Sequence, residues 1–196
     1  MISSLPVLLK EKDQTQYDHL FVSIKKTEEL ADKFDVEISS FITHLSENGL
    51  SDRTSLSVRI MQKVANDLEN IADECMGLAN SINMKNQQKV WFTQDMRDDL
   101  NQMFLLLSSA YLLLLDNLRN EYSQANIEKP FIVEKQINDL RDNLRLKNNE
   151  NIKNGAYMFL NGNYFNDFVF RSEKIGDLIC NINDSLSGYK KDYTHF

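Results

Sequence analysis

Apolar residues recur along most of the chain at alternating steps of four and three, which is the spacing of an amphipathic helix that packs along a seam. The first such series runs from Leu20 to Leu45 and stops before Gly49. The second runs from Met61 to Ile82, after Ser51-Asp52 as a candidate N-terminal cap. No stretch of the sequence alternates with a period of two. The pattern therefore predicts an all-α protein.

The rest of the chain predicts further helices, for about six helical segments in all. Thr93 is a candidate N-cap of a third long helix, and its segment 104–115 is apolar on almost every side. A helix of that kind is expected to be buried among its neighbours, as the central helix of the fold. Another helix should begin near Pro130. The last is expected after a turn at 161–163 and should end at Gly188.

Composition and charge narrow the function. The chain has 196 residues with only six glycines and two prolines, enough for one large domain or two small units that share a core. Its 22 Lys and Arg against 29 Asp and Glu give a net charge of −7, which argues against binding to nucleic acid or to an anionic membrane surface. We therefore expect neither kind of partner.

The cysteines and the apolar runs indicate in which cellular compartment the chain is expected. Cys75 and Cys180 are too few for a disulfide framework and are expected to be buried thiols in a reducing compartment. The most apolar run, 103–115, is shorter than the roughly 20 residues of a membrane span. The start of the chain lacks the basic region of a signal peptide. We expect no insertion of this chain into a membrane, and a position in or facing the cytosol.

A short acidic motif occurs twice. Residues 69–73 read Glu-Asn-Ile-Ala-Asp and residues 173–177 read Glu-Lys-Ile-Gly-Asp, and the similarity continues for several turns beyond the motif. Residues 69 and 173 stand 104 positions apart. The repeat predicts two three-helix halves, 1–90 and 91–188, which share one core, and a flexible tail at 189–196.

The repeated acids are candidate metal ligands. Two carboxylates four residues apart lie one helical turn above each other and repel, so a hard cation such as a divalent metal ion would stabilise them. The first helix of each half offers further acids. The candidate ligands are Glu69, Asp73, Glu173, Asp177, Glu28, Asp32 and Glu134.

Two observations limit this hypothesis. Acidic residues on the outer face of a helix are more often simply solvated, and the repetition in register brings the metal and the solvated-surface interpretations close to even. Asn138 stands where the second set would need an acid, with Asp139 and Asp142 nearby as substitutes. The second set is therefore the weaker one.

The two motifs resemble the Glu-Arg-Ile-Gly-Asp signature that ends each half of PhoU-type proteins, and the resemblance covers most of the chain. Residues 151–155 and the stretch Tyr-Phe-Asn-Asp-Phe-Val at 164–169 are especially similar to the PhoU-like domain of bacterial sodium/phosphate cotransporters. The sequence departs from the signature at Asn70 and Lys174, where the family has Arg, and at Ala72, which replaces a Gly.

This resemblance implies an all-α fold of two pseudo-symmetric three-helix bundles, with clusters of iron, zinc, manganese, nickel or magnesium ions held by the acidic motifs. It implies a regulatory domain of phosphate uptake that catalyses no reaction. The implied partner is a membrane transporter component, in the same polypeptide or separate, on the cytoplasmic side of the membrane. For a cotransporter domain, the transmembrane part would lie outside this chain. Homo-oligomerisation is left open.

An enzyme and a metal-free interaction module are the two alternative classes of function. Di-metal oxidases are also carboxylate-rich helical bundles, but they need a Glu three residues before a His, and His19, His44 and His195 lack one. The sequence has neither a Gly-rich phosphate loop nor an identifiable nucleophile with a base. The stronger alternative is a metal-free helical interaction module whose apolar seams dock onto a partner helix.

Overall fold

The structure is a computed structural model that describes residues 1–47, 49–119 and 128–193, with side chains at all of these positions except 53 and 188–193. A 3₁₀ turn at Ile2–Ser4 is followed by six α-helices, and the described residues contain no strand. The helices are α1 (Leu5–Lys10), α2 (Gln14–Ser46), α3 (Asp52–Gln87), α4 (Gln94–Arg119), α5 (Glu128–Lys153) and α6 (Phe159–Tyr193). The all-α prediction is confirmed.

Local chemistry explains where the helices begin and turn. Asp13 before α2, Ser51 before α3 and Thr93 before α4 each accept the backbone N–H of the residue three positions later, at 2.9, 3.2 and 3.3 Å. The predicted caps at Ser51 and Thr93 are therefore confirmed. The α2–α3 and α5–α6 connections contain Gly49 and Gly155 with φ of +73° and +70°, a backbone conformation that favours glycine.

The centre of the molecule is the contact between α3 and α6. α2 lies on α3, whereas α4 and α5 both lie on α6 and on each other. The fully buried side chains of this core come from both halves of the chain and include Leu78, Ile82, Phe165, Phe168, Leu100 and Ile137. Cys75 and Cys180 are free, buried thiols, as predicted.

The expectation that α4 is the central helix is wrong. Leu107 and Leu114 of α4 are buried, but Leu105 and Leu112 on its other face are exposed. α4 is therefore an outer helix with an unusually apolar solvent face. Apolar residues on all sides show that a helix is hydrophobic, but they do not show how many neighbours surround it.

The start and end of α6 also differ from expectation. Residues 161–163 are helical, because α6 begins at Phe159. Gly162 allows α6 to approach α5 closely, since a Cβ at this position would clash with Ile152. Gly188 does not end the helix, which continues to Tyr193, and residues 194–196 of the expected tail lie outside the described residues.

The two halves differ in their third helix. α4 has 26 residues and packs along both α5 and α6, whereas α1 has six residues and lies near one end of the α2–α3 pair. We call residues 30–68, which form the far end of α2 and the start of α3, the arm. Its exposed large apolar side chains are Leu30, Phe34, Val36, Phe41, Leu45, Met61 and Leu68.

None of the helices in the described part of the chain combines the length and the hydropathy that crossing a lipid bilayer requires.

Candidate metal centre

Four acids from α2 and α3 come together at the base of the arm, and we call them the first acidic cluster. Glu28 and Asp32 lie one turn apart on α2, and Asp73 faces them from α3; one carboxylate oxygen of each lies within 4.8 Å of the others. Glu69 stands one turn before Asp73, and the charges of Asp73 and Asp32 act on it. The four acids predicted as ligands in the first half are thus neighbours in the fold.

The first acidic cluster carries uncompensated negative charge. Burial raises the pKa of Glu28, and the carboxylates of Asp32 and Asp73 raise it further. Burial, Asp73 and Asp32 likewise raise the pKa of Glu69. Lys25 acts on Glu28 in the opposite direction, but its ammonium lies 3.9 Å from Glu29 in an exposed ion pair. A cation bound among these oxygens would remove the repulsion.

Asp35 extends this cluster and was not predicted. It lies three residues after Asp32 on α2, and its charge contributes to the raised pKa of Glu69. Its Oδ1 atom is buried and has no hydrogen-bond partner among the described residues. The signal in the sequence was its position one turn beyond Asp32, on the same side of the helix.

The corresponding acids of the second half, which we call the second acidic cluster, are Glu134, Glu173 and Asp177. Burial, Glu173 and Glu134 raise the pKa of Asp177 to about 6. Here, however, a cation is built in. The Nη1 atom of Arg141 donates to Glu173, which is only 8% exposed, and to the Oδ1 atom of Asn138 at 3.1 Å. Asn138 in turn donates to Glu134.

The nearby acids do not complete the second acidic cluster. Asp142 accepts a hydrogen bond from the Nε atom of Arg141 at 3.0 Å and otherwise faces solvent, and Asp139 is exposed. Within the described residues, three potential ligand atoms lie close enough to share one ion only at Glu28, Asp32 and Asp73. In the second acidic cluster, Arg141 therefore supplies the positive charge that a metal ion would otherwise supply.

The donor atoms of the first acidic cluster determine which ions suit it. They are all carboxylate oxygens, which magnesium and manganese accept readily. Zinc and nickel are more often bound through imidazole or thiolate groups, and no described His or Cys joins this group. The residues present fit a hard cation.

A second set of charges joins the two halves across the α3–α6 contact. Glu74 accepts from the Nη1 atom of Arg171 at 2.8 Å and from the Nζ atom of Lys174 at 2.9 Å. Gly77 leaves room for this guanidinium, because a Cβ there would clash with it. Lys174, where the signature has Arg, therefore has a structural role and points to Glu74.

Comparisons with known proteins give one informative result. No protein-family model matches the chain, and no curated protein matches its sequence. Its fold is similar to the crystal structure of the phosphate transport system regulatory protein PhoU from Streptococcus pneumoniae, with a TM-score of 0.76. The match covers 97% of this chain and 86% of that one, at 16% sequence identity. This likeness establishes a PhoU-like helical-bundle fold.

Proposed function

We propose that this chain is a regulatory domain of phosphate uptake that catalyses no reaction and binds a metal ion through the first acidic cluster. The observation that carries the proposal is the convergence of Glu28, Asp32 and Asp73 from two helices within 4.8 Å. It is supported by the fold, which is similar to that of a protein whose name describes regulation of phosphate transport.

The metal would be held between two helices. Glu28 and Asp32 of α2 and Asp73 of α3 supply oxygens from opposite sides, and Glu69 lies beside them. A metal ion supplies the positive charge that this cluster lacks. The protein's own contribution is to hold four repelling carboxylates in place, so that binding joins the base of the arm to α3 and changes the charge of this surface.

The raised pKa values imply a direction for the pH dependence. Protons compete with metal for carboxylate oxygens, and the pKa values of Glu28 and Glu69 lie above their ordinary values. Metal affinity should therefore fall as the pH is lowered, and the fall should begin at a higher pH than ordinary carboxylates would give.

The metal proposal is tested by elemental analysis of protein purified without chelators and by calorimetric titration with manganese. We expect bound metal in the natural protein, and its loss together with an affinity for manganese that is about tenfold weaker or more in Asp32→Asn/Asp73→Asn. Glu37→Gln, an exposed acid on the same helix α2, is the matched control and should bind as the natural protein does. Absence of metal and of manganese binding in the natural protein would contradict the proposal.

The proposed partner is the membrane component of a phosphate transporter. The resemblance at 151–155 and 164–169 favours a sodium/phosphate cotransporter, with this domain on the cytoplasmic side and attached to the membrane part. The test is uptake of radiolabelled phosphate by cells that contain the transporter with and without this domain. We expect faster uptake under phosphate excess when the domain is absent, and identical uptake would contradict the regulatory role.

A metal-free interaction module is the second candidate, and one observation favours it. Phe34, Phe41 and Met61 of the arm are exposed, although the sequence places them on apolar seams. The two candidates separate cleanly, because a metal-free module predicts that Asp32→Asn/Asp73→Asn regulates uptake as well as the natural protein.

A further inference from the structure

A large cavity lies at the end of the molecule where the α1–α2 connection meets the α3–α4 connection. Its volume is about 960 Å³. The walls are formed by residues 9–12, 14 and 17, by the end of α3, by Trp91 and Phe92 of the α3–α4 connection and by the first turns of α4. It is separate from both acidic clusters, and neither the repeat nor the signature points to it.

The charge of this cavity is opposite to that of the protein. The lining includes Lys10, Lys12, Lys85 and Arg97 and one carboxylate, Glu11, in a chain whose net charge is −7. The Glu11 carboxylate is engaged locally, since its Oε1 atom accepts the backbone N–H groups of residues 12 and 13 at 2.8 and 2.9 Å. Among the described residues, none of the four cations forms an ion pair, although the guanidinium of Arg97 donates to the carbonyl of Phe92 at 2.5 Å and to the Oε1 atom of Gln94 at 2.7 Å. Uncompensated cations in an otherwise acidic protein indicate an anionic ligand.

Two polar groups in the wall are buried and only partly satisfied. Lys85 is 4% exposed, and its ammonium donates to the Oδ1 atom of Asn86 at 2.8 Å and to the carbonyl of Val90 at 3.2 Å. An ammonium has three N–H groups, so one remains to be satisfied. The hydroxyl of Tyr17, a residue 7% exposed, makes no hydrogen bond of good geometry among the described residues, although the Asn86 side chain lies near enough to act on its pKa in the lowering direction. Buried polar groups are normally satisfied, and a polar ligand in the cavity can complete these.

The size and the aromatic walls restrict what the anion is. A volume of about 960 Å³ is far larger than inorganic phosphate needs and lies in the range of sites for organic ligands. Trp91 lines the cavity with a ring that is 71% exposed, and the Lys85 ammonium lies 5.6 Å from the centre of that ring. An exposed indole beside cations is suited to stack on a flat ring whose attached groups are negative.

From these features we propose that the cavity binds a nucleotide, with its phosphate groups on Lys12, Lys85 and Arg97 and its base stacked on Trp91. Side-chain amides from α3 and α4, among them Asn83, Asn86 and Asn101, also line the cavity and can bond to the edge of a base. The proposal rests on this cavity alone and holds whether or not the first acidic cluster binds metal.

The test is calorimetric titration of the full chain with AMP, ATP, adenosine and inorganic phosphate, in the presence of a chelator so that the acidic clusters do not contribute. We expect AMP and ATP to bind. Adenosine lacks the phosphate groups and inorganic phosphate lacks the base, so each should bind at least about tenfold more weakly. Trp91 is the only tryptophan, so quenching of its fluorescence gives an independent readout.

Variants separate the cavity from general charge effects. Lys12→Glu changes an exposed side chain and should fold normally, yet weaken AMP binding by about tenfold; Trp91→Ala should weaken it by a similar factor. Lys26→Glu, an exposed change of equal charge on α2 outside the cavity lining, should have no effect. The proposal is overturned if no nucleotide binds, if inorganic phosphate binds as tightly as AMP, or if Lys12→Glu and Lys26→Glu weaken binding equally.

Discussion

In the first half of the molecule, acids on α2 and α3 face one another without a strong cation, whereas in the second half the acids on α5 and α6 surround an arginine. The two helix pairs correspond, since residues 28 and 134 stand 106 positions apart and carry the same acid. At that offset Asp32 corresponds to Asn138, and Asp35 corresponds to Arg141. Two substitutions therefore convert a set of carboxylates that suits a metal ion into one that the protein neutralises by itself.

The same halves differ in how their apolar faces are covered. At the offset of 104 that relates α3 to α6, Met61 corresponds to Phe165. Met61 is 50% exposed on the arm, whereas Phe165 is 2% exposed and packs edge-on against Phe92 with ring centres 6.2 Å apart. The difference follows from the third helix, because α4 and the connection before it cover α6, whereas α1 is too short to cover the arm.

The largest expected effect comes from truncating the buried side chain of Phe165, compared with the exposed side chain of Met61. Phe165→Ala should lower the free energy of unfolding by about 3–5 kcal/mol, because it leaves a cavity in the shared core. Met61→Ala at the corresponding position should cost less than about 1 kcal/mol, because the side chain is already half in water. Urea denaturation followed by circular dichroism measures both. Losses of similar size would show that the arm is covered in solution.

The next largest effect is expected from replacing Arg141, the cation of the second acidic cluster. Arg141→Met should lower the free energy of unfolding by about 2–3 kcal/mol at pH 8, because it leaves the buried Glu173 without its partner beside Asp177. The loss should shrink at pH 5, where protonation of Asp177 relieves the repulsion. The same variant should gain affinity for manganese at the second acidic cluster.

The control for this variant is Arg145→Met, an exposed arginine on the same helix, which should change stability little. An equal loss at pH 5 and pH 8 would attribute the effect of Arg141 to packing of its aliphatic stem and would count against the charge argument.

Sequence periodicity predicted the long helices well and their surroundings poorly. The four-three spacing and the Ser51 cap located α2 and α3, because both signals depend on residues close in the chain. The same spacing placed Phe34 and Phe41 on a seam, yet both are exposed. Periodicity identifies an apolar face, but whether another helix covers that face depends on the length of α1 and on the packing of the whole chain.

In the candidate site too, local sequence signals predicted some features, whereas others depend on contacts between distant parts of the chain. The repeat brought Glu69 and Asp73 to attention, and their proximity to acids on α2 follows from two helices running side by side. The role of Arg141 was missed because its partner Glu173 is 32 residues away on another helix. A comparison of the two halves at the offset of 106 would have shown an arginine at the position of Asp35, and that is the signal that the motif alone lacks.

A smaller effect is expected from replacing Asp177, the acid whose pKa is raised to about 6. The pKa of Asp177 is raised from 3.8 to about 6, so the folded state holds its proton more tightly than the unfolded chain does. The free energy of unfolding should therefore decrease as the pH rises from 3.8 to about 6. Asp177→Asn should remove this decrease and stabilise the protein by about 1–2 kcal/mol at pH 7, a value reduced for partial solvent exposure.

Denaturation at several pH values measures this difference, with Asp184→Asn as the control on the same helix, where the side chain is exposed. If both variants show the same pH dependence as the natural protein, Asp177 is not the group that titrates near pH 6.

The smallest expected effect tests whether the first acidic cluster depends on any cation of its own. Lys25 pairs with Glu29 at 3.9 Å, but both side chains are more than half exposed, so the pair contributes little. Lys25→Met should change the free energy of unfolding by less than about 0.5 kcal/mol, because water already screens this charge. It should raise the pKa of Glu28, on which Lys25 acts in the lowering direction, and NMR titration of that carboxyl group measures the change. A loss as large as that of Arg141→Met would mean that both halves neutralise their acids internally, and the contrast on which metal binding is proposed would disappear.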